Sequence, residues 1–231
     1  MVFSFIERLH QHPLKAERSA RQLHGYMENT PGRRRVETYI ADAFREQYNA
    51  HIDHFLPILL TIERGGAIEA ALGIRFGEHE ALFVEHYLDR QLSEELAHRD
   101  IPHAAIVEIG NLVSTRSGCS QLLFILLAQL LIELERDTAI FTATAQVQQL
   151  LGKIGCELIP LCEADGSRLG DQLEQWGSYY ETSPRVVTSD IAGYKQLLQR
   201  PVLAQTLNRH SDDLARVLAL LKPAQPIAVF A

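Results

Sequence analysis

A chain of 231 residues, 46% hydrophobic and 22% charged, is long enough to bury a sizeable core and has the composition of a globular protein. Its formal net charge of -7 argues against a nucleic-acid surface. The three cysteines, Cys119, Cys156 and Cys162, fit neither a disulfide framework nor C-x-x-C metal spacing, which suits a reducing compartment.

Residues 1–9 are apolar only in patches, broken by Glu7 and Arg8, and no small-residue cleavage site follows. The longest apolar run, 122–132, contains Gln129 and is too short to span a bilayer. These features predict a soluble, cytoplasmic protein without a membrane span.

In chain order, residues 3–23 read as one or two short amphipathic helices broken near Pro13, within an N-terminal helical segment 1–32. Glu28, Asn29, Thr30, Pro31 and Gly32 form a loop by their turn chemistry. Arg33, Arg34 and Arg35 then open a helix to about Tyr48, with Val36, Ile40, Ala43 and Phe44 in helical repeat. The arginine run reads first as a solvated helix start and second as a contact for a phosphate or an acidic carrier protein. His51 and His54 would share a helix face at metal spacing, but no third ligand is suggested, so they read as surface or core histidines.

Runs 56–63 and 67–76, joined by Arg64-Gly65-Gly66, predict a β-hairpin. Residues 82–88 read as extended or partly helical, and 93–99 as a short helix. A strand over 105–114 carries an acid, Glu108, between Val107 and Ile109; such a carboxylate is either paired or chemically employed. The turn Thr115-Arg116-Ser117-Gly118-Cys119-Ser120 leads into an apolar helix over 121–136. Strand, glycine-bearing turn and helix N-terminus make a place to hold phosphate, because unpaired amides and the helix dipole point outward there.

A β-branched run over 139–144 predicts a buried strand, followed by a helix over 146–153 with Gly155 as its C-cap. Residues 156–161 form a further strand, at an edge given Pro160. This alternation predicts crossover connections and locally parallel pairing. The single Trp, Trp176, stands beside Tyr179 and Tyr180. Val186 and Val187 suit a last strand, and 191–199 and 202–221 are helical, in a C-terminal helical extension over 189–231.

Residues 33–188 resemble the GNAT superfamily of N-acyltransferases. More closely, they resemble the family named for thermostable hemolysins, related at the fold level to acyl-homoserine-lactone synthases. The resemblance rests on Val36-Glu37, Tyr48, Phe55-Leu56-Pro57, Ala71-Leu72-Gly73-Ile74-Arg75 and Leu82-Phe83-Val84-Glu85-His86-Tyr87-Leu88-Asp89. Its most specific pieces are Ile106-Val107-Glu108-Ile109-Gly110-Asn111-Leu112-Val113-Ser114 and Trp176-Gly177-Ser178-Tyr179-Tyr180. It implies an α/β fold with a mixed, twisted, V-splayed sheet flanked by helices, plus an extra helical C-terminus.

Family name and fold imply different functions. A pore former needs a long apolar helix or an amphipathic hairpin that closes into a barrel, and neither is evident. An acyltransferase needs a splayed strand and turn that grip a pantetheine, for which this chain has a candidate. The expectation is therefore N-acyl transfer by direct attack, from acyl-CoA or the phosphopantetheine of acyl-carrier protein to a small-molecule amine or amino acid. The alternatives are a membrane-active hemolysin and a catalytically inactive binding module. No metal is expected, and the C-terminal helices either cover an acyl pocket or build a homodimer.

The resemblance assigns roles residue by residue. Glu108 is the candidate general base, and Tyr179 and Tyr180 are candidates for the acid that protonates the leaving thiolate. Asn111, Leu112, Val113, Arg116, Gly118, Cys119 and Ser120 would hold the donor. Family members usually carry two glycines or a glycine and an alanine in this turn after Arg or Gln; here Gly118 is alone, which leaves room for a single phosphate. Arg75 and Glu85 would hold the acceptor, or else Arg75 pairs with Glu85 or Glu108. Trp176 lines the core or an acyl tunnel.

Overall fold

Turn glycines and alternating apolar residues lay down one end of the sheet. In the computed structural model, which describes residues 20–78, 81–96 and 101–222, the expected hairpin forms from β2 (Ile58–Arg64) and β3 (Ala67–Phe76) around a Gly65-Gly66 turn. An additional strand, β1 (Gln22–Tyr26), pairs antiparallel with the outer side of β2. The expected N-terminal helices lie mostly outside the described residues, but at 22–23 the chain is extended rather than helical. The open edge of β2 offers ladder partners, Leu23 enters the core, and Gly25 is a poor helix former.

The remaining strands are β4 (Ile106–Ser114), β5 (Thr138–Ala143), β6 (Ile159–Glu163) and β7 (Arg185–Asp190). Among the described residues the sheet has seven strands in the order β1-β2-β3-β4-β5-β7-β6. β4 and β5 are parallel and the other neighbours antiparallel. β6 lies at the edge, where Pro160 is tolerated, and β7 inserts between it and β5.

The helices are α1 (Arg33–Tyr48), α2 (Leu92–Glu95), α3 (Cys119–Glu133), α4 (Ala145–Ile154), α5 (Tyr194–Leu198), α6 (Pro201–Arg209) and α7 (Ser211–Leu221). Phe83–Tyr87, Gly166–Trp176 and Tyr179–Thr182 are 3-10 turns. α3 is apolar around most of its circumference because most of it is covered, with Gln129 and Glu133 bonded to each other on the side left open. The sheet lies beneath it, and α5, α6 and α7 pack over it. The helix expected over 202–221 breaks at His210, where α7 restarts with Asp212 and Asp213 in its first turn, favourable to the helix dipole.

Two local expectations are corrected. Arg33 is buried, not solvated: its guanidinium donates to the carbonyls of Leu56 (2.9 Å) and Pro57 (2.6 Å) and pairs with Glu37 (2.7 Å). Arg35 reaches Glu63 at 2.7 Å, so only Arg34 is a plain solvated cation of the helix start. His51 and His54 share no helix face. α1 ends at Tyr48 with Asn49 left-handed, and both histidines sit exposed in the irregular segment beyond.

α7 is tied to the edge strand by a buried carboxylate. Asp213 accepts from the backbone N–H of Leu23 (3.0 Å), from Arg216, and at 3.2 Å from His210. Burial pushes its carboxyl up, but these three donors outweigh burial and hold it below the usual carboxylate range. Ionising more easily folded than unfolded, it adds stability at neutral pH that fades as the pH falls through that range. Asp213→Ala leaves the Leu23 amide without its acceptor and is expected to cost ~1–3 kcal/mol in urea unfolding, with a shallower acid limb. An unchanged midpoint at neutral pH would show that β1 does not depend on this link.

A candidate active site at the parting of two strands

β4 and β5 hold register over four pairs, from Ile106↔Thr138 to Ile109↔Phe141, and then separate. Thr142 and Ala143 continue in register with β7 only, while Gly110, Val113 and Ser114 continue with β3 only. The cause is a bulge. Between the pairs Gly73↔Gly110 and Ala71↔Val113, β4 has two residues, Asn111 and Leu112, where β3 has one. Asn111 is left-handed (φ 51°), so β4 bends away from β5. The Asn111 side chain accepts from the Leu56 amide at 2.9 Å. A Cβ at residue 73 would lie 2.9 Å from that same oxygen, so β3 needs Gly73 here.

A cavity of about 280 Å³ occupies the gap. Residues 110–114 form one wall, Phe141, Thr142 and Thr144 the other, and Ser120 and Phe124 of α3 lie at the turn end. Apolar side chains of α4, Val147 and Leu150, extend the wall. At the opposite end stand Arg75, Glu108, Phe83, Tyr87, Trp176, Tyr179 and Tyr180.

Glu108 is 2% exposed. Oε1 accepts the Val84 amide at 2.8 Å and Oε2 the Phe83 amide at 3.0 Å, so the carboxylate caps the 3-10 turn Phe83–Tyr87. Arg75 stands 3.8 Å from Oε2 and donates to the Ala81 carbonyl at 2.9 Å. Burial pushes the Glu108 carboxyl above its ordinary range, against the opposing pull of both amides and Arg75. Each oxygen has two lone pairs and gives one to an amide, which leaves each able to accept a further proton.

The aromatic residues are placed by stitching between α1 and the segment after β6. Ser178 N donates to Tyr48 O (2.9 Å) and His51 N to Gln175 O (2.6 Å). Gly177 makes that approach possible: its φ is +52°, and a Cβ would fall 2.1 Å from Tyr48 O. Trp176 packs against Phe44, Phe83, Tyr179 and Tyr180. The hydroxyls of Tyr87 and Tyr180 are hydrogen-bonded to each other. Burial pushes Tyr180 up to about 12, opposed by the bond to Tyr87; burial drives Tyr179 and Tyr87 higher still.

The predicted site residues divide. Arg75, Glu108, Asn111, Leu112, Val113, Ser120, Trp176, Tyr179 and Tyr180 line the cavity. Glu85 does not: its Oε1 accepts the Leu82 amide at 3.0 Å and faces His103 at 3.5 Å, so it caps the turn from outside and is not placed to hold an acceptor. The Asn111 side-chain amide is likewise engaged elsewhere, with His54 and Leu56. Arg116 and Gly118 lie at the turn ahead of α3, outside the cavity walls. Cys119 points away into the core, its thiol 3.2 Å from the Glu69 carboxylate and pushed up to about 11 by burial and that bond. The sequence reading missed Phe44, Phe83 and Tyr87 as cavity residues. Phe44 reads as a core position of the helix over 33–48, and 82–88 as ordinary apolar spacing until the Glu108 carboxylate folds 83–87 into a turn. Among the described residues no three His, Cys, Asp or Glu side chains gather where they could hold a metal.

A mixed sheet with a bulged, splayed central strand and helices on both faces is a GNAT-like fold, as expected. Solved structures of this architecture include the acyl-homoserine-lactone synthase LasI (TM-score 0.53, 11% identity, covering 75% of this chain and 91% of that one). A CoA-dependent synthase, BjaI, solved with SAM and isopentyl-CoA, gives 0.54 and 13%, over 87% and 100%. FeeM, an N-acyl amino acid synthase from uncultured soil microbes, gives 0.53 and 12%, over 80% and 98%. At these identities the likeness is one of fold. The chain belongs to the thermostable hemolysin family, which matches residues 26–194. No curated protein matches the sequence. Among the described residues no helix is long and apolar enough to cross a membrane.

Because the Glu108 carboxyl is raised on folding, it favours the native state below its unfolded pKa and loses that contribution as pH rises through its folded value. Urea midpoints of the wild type and Glu108→Gln, compared between about pH 4 and 8, should therefore diverge in that direction. Parallel curves would mean that the carboxylate is not held as described.

Proposed function

We propose that this protein is an N-acyltransferase. It moves an acyl group, fatty in character, from the thioester of coenzyme A or acyl-carrier protein to the amine of a small molecule or amino acid. The observation that carries this reading is the parting of β4 from β5, with Asn111 and Leu112 in register with no strand and a buried carboxylate beside the gap. A pantetheine arm is an amide chain, and backbone groups without a ladder partner are what it needs for hydrogen bonds. Ser120 at the start of α3, with Arg116 and Gly118 in the preceding turn, would receive the phosphate end. A single glycine there leaves room for one phosphate. The apolar wall of Phe124, Phe141, Val147 and Leu150 would take the acyl chain. The CoA thioesters and N-acyl amino acids named for the fold relatives agree with this class of substrate.

In the reaction the neutral amine attacks the thioester carbon and forms the C–N bond. Glu108, directly or through water, takes the proton that the nitrogen loses; its raised pKa makes it a stronger base than an ordinary carboxylate. The C–S bond breaks, and Tyr179 or Tyr180 protonates the thiolate, leaving an amide and a free thiol. Arg75 orients Glu108 and can meet an acceptor carboxylate. Cys119, buried and hard to ionise, takes no part, so transfer is direct.

Thiol release and amide formation, followed by mass spectrometry over a panel of amines with acyl-CoA and acyl-carrier protein, test the proposal. Glu108→Gln should lower kcat/KM by about 10²- to 10⁴-fold. Thr142→Trp, which fills the gap from the β5 side, should abolish transfer in a folded protein. No thiol release from any donor, together with dye leakage from liposomes in the absence of donor, would favour the membrane activity in the family name instead.

A further inference from the structure

We infer that Tyr87 is a positioning residue for this reaction: its hydroxyl donates to that of Tyr180, turns the Tyr180 proton toward the cavity, and stabilises the phenolate left when that proton is given to the departing thiolate. The inference rests on the acyl-transfer reading and decides between the two tyrosines that the reading leaves open.

The direction of the hydrogen bond follows from burial. Tyr87 is 2% exposed, and the Tyr180 hydroxyl is its hydroxyl's hydrogen-bond partner among the described residues. Were Tyr180 the donor, the proton of Tyr87, the more deeply buried of the two residues, would have no acceptor among the described residues and would depend on the cavity for one, at the cost of an unmet donor whenever the cavity supplies none. With Tyr87 as donor both needs are met. Its own proton is satisfied, and the proton of half-buried Tyr180 faces a cavity where a substrate atom or water can accept it. Tyr179 lacks such support. It packs against Phe44, Tyr48, Trp176 and Tyr180, and burial raises it with no hydrogen bond opposing. Tyr180 is the more acidic of the two, in part because Tyr87 offsets the effect of burial. The Glu108 charge disfavours negative charge on Tyr87, so Tyr87 keeps the proton it donates.

The protons balance. As the C–S bond breaks, its electron pair goes to sulfur and the Tyr180 Oη–H proton follows. The phenolate, held by the Tyr87 O–H, regains a proton from Glu108 or from water, so both tyrosines end neutral.

The test uses two donors with the same acyl group, an alkyl thioester of the pantetheine type and an aryl thioester whose thiolate leaves without needing a proton. On the alkyl thioester, Tyr87→Phe should lower kcat about 10- to 100-fold with little change in KM, the worth of one hydrogen bond to a charge. On the aryl thioester it should stay within about threefold of wild type, since no phenolate forms there. Tyr87→Phe in a Tyr180→Phe background should cause no further loss. With ring-labelled tyrosine, the NMR titration of Tyr180 should move to higher pH in Tyr87→Phe. Equal losses on both thioesters, additive losses in the double variant, or a Tyr180 titration that stays or moves down would overturn the inference while leaving the acyl-transfer reading intact. A wild type that releases thiol from neither donor with any amine would overturn both.

Discussion

Parallel strands are held by evenly spaced, slanted hydrogen bonds, and such a ladder has no reason to stop while both strands continue. Here it stops after Ile109 and Phe141, although β4 runs on to Ser114 and β5 to Ala143. The extra residue in β4 forces the separation. One more residue on one strand than on its neighbour turns the chain, and a turned β4 cannot follow both β3 and β5. It follows β3. The cavity, the approach to Glu108 and the position of α3 at the end of the gap all depend on that choice.

A bulge of this kind must be held from outside, because it gives up ladder bonds. The Asn111 side chain grips the segment before β2, and Arg33 holds the carbonyls of Leu56 and Pro57 from the other side. The turn beyond β4 is fixed in the same way. The Glu69 carbonyl accepts the Thr115 amide at 3.0 Å, and its buried carboxylate accepts from Arg21 and Cys119. A rigid rim is what a site needs if its two ends, carboxylate and helix N-terminus, are to meet opposite ends of one extended ligand. Groups that the sequence offers as chemistry, Asn111 and Cys119, thus serve as scaffold.

Much of this was legible in the chain. The hairpin, the crossover from β4 through α3 to β5, the edge position of Pro160 and the odd acid at 108 each follow from a period or a misplaced polar residue that local sequence displays. What was hidden lay in partnerships between distant segments. Arg33 is indistinguishable from Arg34 until a buried pair of carbonyls appears beside it. Residues 22–26 become a strand because β2 has an open edge, not because of their own pattern. Tyr87 enters the site because a carboxylate 21 positions downstream folds its turn. No window of sequence contains that information.

The central claim is that the gap between β4 and β5 receives a thioester arm, and hydrogen exchange at its walls tests this most directly. A thioether analogue of acyl-pantetheine, shared by both classes of donor and unable to react, is titrated into the protein. The account predicts that the amides of Asn111 and Leu112, in register with no strand and open to exchange in the free protein, become protected as the analogue binds, with little change in β1 and β2. Binding that leaves those amides unchanged, or amides already protected in the free protein by a closed β4–β5 ladder, would contradict it.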